Sequence, residues 1–139
     1  MNEQDFKDRT KQLGIEVARL AQTLPAGRVA DPIVRQLVRS ATSVGANYRA
    51  ACRGRSSADV LAKLGVVEEE ADETLYWLEV LRELQVTATE PLNVLVVEAN
   101  EILSMTVASI KTLRSRLSDG YPEIRVVQSK IQNPKSKMR

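Results

Sequence analysis

Apolar residues, joined by a few threonines, recur along the chain at steps of three and four, the spacing that gathers side chains on one stripe of a helix. Phe6, Thr10, Leu13, Val17, Leu20 and Leu24 make the first stripe, which Pro25 and Gly27 stop. Asp31 followed by Pro32 reads as an N-cap with proline in the first helical position, where its missing N–H costs nothing. The helix it opens carries Ile33, Leu37, Ala41, Val44, Tyr48 and Ala51 and frays near Gly54. Ser56 or Ser57 caps a third helix, with Asp59 placed favourably at its positive end. That helix has two apolar stripes: Leu61, Leu64, Ala71, Leu75 and Leu78 for the core, and Ala62, Val66, Tyr76, Trp77, Val80 and Leu84 elsewhere. Thr87, Thr89 and Pro91 interrupt the pattern. A fourth helix, capped at Thr89 or Glu90, then packs through Leu92, Leu95, Ala99, Ile102, Leu103, Thr106, Ile110, Leu113 and Leu117. Short links between long helices favour antiparallel neighbours. The pattern therefore predicts an all-α protein: an up-down-up-down antiparallel four-helix bundle over residues 1–118, then a flexible, basic C-terminal tail over 119–139, partly disordered.

A length of 139 residues suits one domain with one core. There is no histidine, which removes the commonest general base, the commonest metal ligand and every His-based triad. No catalytic residue, metal site or cofactor is expected. The lone Cys52 has no disulfide partner and no histidine to activate it, so it reads as structural, and a reducing compartment is the simpler setting. The first eleven residues alternate charges instead of building a signal core, and no uninterrupted apolar run approaches bilayer length. A cytoplasmic protein with no membrane partner is the expectation.

Net charge is only +2, so location carries the information. Residues 28–55 hold six arginines against Asp31 alone, and Arg35, Arg39, Arg49 and Arg53 share the side opposite the core stripe, with Arg55 just beyond. Guanidinium forks suit phosphates or carboxylates alike. Residues 56–85 hold eight acids against Lys63 and Arg82. Within them, Glu68 falls on the presumed core stripe and needs polar company, for which Ser43, Asn47 or a nearby arginine is predicted. Tyr76, Trp77, Val80 and Leu84, edged by Glu69 and Glu73, have the make-up of a subunit interface.

Residues 36–55 (QLVRSATSVGANYRAACRGR) and 58–78 (ADVLAKLGVVEEEADETLYWL) closely resemble a four-helix-bundle family first noticed as open reading frames inside intervening sequences of bacterial large-subunit ribosomal RNA. The resemblance runs from Phe6 to about Arg114. The family's relatives include the accessory variability determinant of diversity-generating retroelements, which works beside a reverse transcriptase. What the resemblance implies is a homopentameric barrel with a basic surface suited to nucleic acid, carried here by Arg35, Arg39, Arg49 and Arg53. The sequence reading is thus a non-enzymatic homo-oligomer, a pentamer by resemblance, that binds structured RNA or DNA, or a nucleic-acid enzyme, through the second helix. The alternative is an interaction scaffold whose arginines are consumed by Glu69, Asp72 and Glu73 across helices and subunits.

Overall fold

A computed structural model describes residues 1–119, which form α1 (Glu3–Thr23), α2 (Ala30–Cys52), α3 (Ser57–Leu84) and α4 (Thr89–Ser118). Apart from Asp119, the expected tail lies outside the described residues. Local chemistry sets most of the ends. Asn2 and Asp5 close α1 with a reciprocal capping box, and the Ser56 hydroxyl accepts the Asp59 N–H at 3.1 Å to start α3. The α2 start differs from expectation. Its first residue is Ala30, and Asp31 sits inside the first turn, where its carboxylate reaches back to the Gly27 N–H at 3.0 Å. The residue does bind an orphan donor, but one belonging to the turn before the helix. Gln85 ends α3 in the left-handed conformation.

The buried positions run in heptad-like steps in every helix. Phe6, Thr10, Leu13 and Val17 on α1 face Leu37, Ala41, Val44, Tyr48 and Ala51 on α2, while α4 contributes Leu92, Leu95, Ala99, Ile102, Thr106 and Leu113. Alternation of three and four residues keeps each seam aimed at its neighbours. Burying each large side chain contributes about 1.5–3 kcal/mol relative to leaving it exposed. The helices pack in chain order, α1 on α2, α2 on α3 and α3 on α4, whereas α4 closes back onto α1 over a much thinner contact.

On α3 the seam is Val60, Leu64, Val67, Ala71, Thr74, Leu78 and Leu81, rotated from the predicted stripe so that Leu61 and Leu75 become its partly buried flank. The small residues decide the phase: Ala71 and Thr74 let α2 approach, and the Thr74 hydroxyl donates to the buried Ser40 hydroxyl at 3.0 Å. That rotation carries Glu68 off the core. It is only partly buried and, among the described residues, has no hydrogen-bond partner, while the Asn47 amide donates within α2 to the Ser43 carbonyl at 2.9 Å. The predicted buried network of Glu68, Ser43 and Asn47 is therefore replaced by the Ser40–Thr74 pair, one turn away.

Candidate nucleic-acid interface

α1 and α2 cross at glycines. A Cβ on Gly14 would lie 3.1 Å from the Thr42 Cα, and one on Gly45 would lie 3.0 Å from the Lys11 Cα, so the two backbones touch where side chains would otherwise hold them apart. The close approach leaves a valley along the outer side of the pair, a groove of about 550 Å³ whose floor includes Gly14, Ile15, Ala18, Thr42, Gly45 and Ala46. Lys7 and Lys11 rise from α1 and Arg49 and Arg53 from α2, each pair one helical turn apart, about 6 Å. Against these four cations stands one carboxylate, Asp8, which accepts a hydrogen bond from the Gln4 amide at 2.9 Å. Lys7 only grazes Glu3 at 4.0 Å, and Lys11, Arg49 and Arg53 make no ion pair among the described residues.

The remaining arginines of the predicted stripe part company. Arg39 leaves it for α3, where its guanidinium meets both oxygens of Glu70 at 3.2 Å and Glu73 at 2.7 Å. Those contacts raise its pKa, already above any physiological range, and Arg39 with Trp77 holds the Glu73 carboxyl below its ordinary value. Arg35 borders a smaller hollow beside Leu24 and Asp31. Arg55 lies exposed in the α2–α3 turn, its backbone N–H bonded to Asp59 at 3.1 Å. Arg35 and Arg55 do not line the groove of Arg49 and Arg53.

The aromatic surface also divides. Tyr76 is 56% exposed and Leu84 47% exposed, whereas Trp77 packs against the core, stacks edge-on with Tyr76 and donates its indole N–H to Glu73 at 3.0 Å. Val80 is half-buried beside them, and Glu69, Asp72, Glu79 and Glu83 stand exposed along the same outer side of α3.

The sequence matches the family described as 23S rRNA-intervening sequence protein over residues 2–108. The chain belongs to that family. Among solved structures, a protein of unknown function from the S23 ribosomal protein family of Bacteroides thetaiotaomicron is 30% identical, with a TM-score of 0.67 over 76% of this chain and 98% of that one. No curated protein matches.

In this member of the rRNA-intervening sequence family, the groove over the glycine crossing gathers four cations, of which Lys7 and Lys11 were missed by sequence reasoning. Their signal was faint: two lysines four apart on α1, opposite the polar face of a helix whose register with α1 only the glycines reveal. No group of three or more acidic or cysteine side chains among the described residues is arranged to hold a metal ion. Cys52 is buried, and burial pushes its thiol up to about 11, so the thiolate needed for nucleophilic chemistry is scarce at neutral pH.

Proposed function

We propose that this protein is a non-enzymatic, self-assembling bundle that holds structured nucleic acid by its phosphate backbone in the α1–α2 groove. The observation that carries this reading is the facing pair of cation rows, Lys7 and Lys11 across from Arg49 and Arg53, four cations against the single carboxylate of Asp8. Positioned ammonium and guanidinium groups suffice for phosphate contacts, and such contacts give affinity that falls with salt and carries little sequence information. No aromatic residue lines the groove, so base stacking supplies nothing there. The test is binding of a labelled, structured RNA across a salt series, for the wild type and for the variant carrying Lys7→Gln, Lys11→Gln, Arg49→Gln and Arg53→Gln. Loss of four phosphate contacts should flatten the slope of log affinity against log salt by about three. An unchanged slope would remove the groove from consideration.

A second reading rests on a separate observation. The exposed acids of α3, with Tyr76 among them, carry the charge opposite to that of the cationic groove, and a head-to-tail contact of α3 in one copy with α1 and α2 in the next would close a ring. Light scattering on the same variant separates the two. If the wild type binds no RNA and the variant falls to monomers, the cations serve assembly.

A further inference from the structure

The glycine contacts fix how α1 and α2 stand against each other. Gly45 lies against Lys11 and Gly14 against Thr42, so three residues forward on α1 answer to three residues back on α2. Carried one turn from the crossing, that antiparallel register sets Arg49 level with Lys7, and a further turn sets Arg53 level with Glu3. At 1.5 Å per residue the four groove cations therefore stand on three levels about 6 Å apart: Arg53, then Lys7 facing Arg49, then Lys11. The ladder is closed at both ends. Beyond Lys11 the lining continues through Gly14, Ile15, Ala18 and Thr42 without charge, and the next arginines, Arg19 and Arg39, are bonded to Glu16 and to Glu70 and Glu73. At the Arg53 end come the acids in the first turn of α1, Glu3 and Asp5. A long polyanion lying through the groove would meet carboxylates at one end and no cation at the other.

We infer that the ligand of this groove is a short unpaired run of one nucleic-acid strand, seated backbone inward by three successive phosphates, with Lys7 and Arg49 on either side of the middle one. This rests on the phosphate-binding reading of the groove and names the substrate class within it. The spacing agrees. Six single bonds separate successive phosphorus atoms, which places them about 6–7 Å apart, twice the reach of a three-bond peptide unit, and one level of the ladder is about as long. A second strand finds no support. The valley between two touching helices is one chain wide, so the partner strand of a duplex would overhang α3 beside α2 or α4 beside α1. α3 exposes Glu69 and Asp72, and α4 carries no Lys or Arg from Thr89 to Ile110. Like charge on one side and the lack of a counter-charge on the other both disfavour the wider ligand.

The experiment titrates the intact chain, at 0.1 M salt, against a labelled 12-nucleotide RNA whose sequence does not pair with itself, alone and annealed to its complement. The single strand should bind at least tenfold more tightly than the duplex. A uridine tetranucleotide, which has three internucleotide phosphates, should displace that strand at a concentration at least tenfold lower than a uridine dinucleotide, which has one. Equal or tighter binding of the duplex would overturn the inference while leaving the phosphate reading of the groove in place. Equal competition by the two short oligonucleotides would overturn it too, since the site would then hold a single phosphate. If neither RNA binds, or if the strand binds the variant with all four groove cations changed to Gln as tightly as it binds the wild type, the nucleic-acid reading itself falls and the inference falls with it.

Discussion

Cys52 and Tyr48 lie one turn apart on α2 and bury their acidic protons side by side. Burial is the main cause that raises both, the thiol to about 11 from 9.0 and the phenol well above its ordinary value. The linkage has a definite sign. Above about pH 9 the unfolded thiol ionises while the folded one does not, so the unfolded state binds fewer protons and stability falls as pH rises towards 11. Melting temperatures measured from pH 8 to 11 should therefore drop less for Cys52→Ala than for the wild type, once each is referred to its own value at pH 8. Parallel curves would show that the thiol is not desolvated. At neutral pH the same burial should make Cys52 slow to react with a thiol reagent until denaturant is added. The sequence placed Cys52 at the core edge correctly, because position on a helical stripe is legible from spacing. It did not reveal which arginine has a partner: Arg39 shares its stripe with Arg49, yet its long side chain turns sideways to Glu70 and Glu73. Reach of that kind depends on the register between two helices, which no single-helix projection contains.

Two glycines on facing and outward sides show how the helices use small residues. Gly45 sits where a Cβ would meet the Lys11 backbone at 3.0–3.1 Å, while nothing lies within 4 Å of a Cβ on Gly65 in α3. Glycine inside a helix costs about 0.5–1 kcal/mol relative to alanine. Gly65→Ala should recover that amount, and Gly45→Ala should lose about 1–3 kcal/mol as α1 and α2 are forced apart, a contrast that urea unfolding at equal slopes will read. A destabilised Gly65→Ala would mean that another chain packs there. The thin α1–α4 seam is held by Arg9, which meets Glu98 at 2.6 and 2.8 Å and also Glu101. Arg9→Ala should cost about 1–2 kcal/mol, since removing it strands the partly buried carboxylate of Glu98, while the exposed Glu101 returns to water. Four helices and most of their seams were legible in the sequence, since apolar spacing is a property of each helix alone. The rotation of α3 was not, because its apolar residues spread over more than one stripe, and a stripe drawn through Leu61 and Leu75 looks as sound as one through Val67 and Thr74. Only the Ser40–Thr74 contact with α2 distinguishes them.

The molecule's charge is arranged, not merely balanced. Residues 28–55 carry +5 and residues 56–85 carry −6, and among the described residues the ion pairs between the two segments are those of Arg39 with Glu70 and Glu73. The rest points outward on different sides: Lys7, Lys11, Arg49 and Arg53 around the groove, and Glu69, Asp72, Glu79 and Glu83 along α3 beside Tyr76 and Leu84. A molecule with separated charges of opposite sign attracts its own copies at low salt and loses that attraction within a Debye length of about 8 Å at physiological ionic strength. An assembly held by charge alone would therefore come apart on adding salt, whereas one anchored by Tyr76 and Leu84 would persist, since apolar burial is strengthened by salts excluded from the surface. Both side chains are about half exposed, so Tyr76→Glu with Leu84→Glu should leave the melting temperature within a few degrees of wild type. If α3 is the assembly surface, light scattering at 0.5 M salt should give a multiple of the chain mass for the wild type and the single-chain mass for the double variant. If the two proteins have the same mass at every salt concentration, α3 is a solvated face and the copies meet elsewhere.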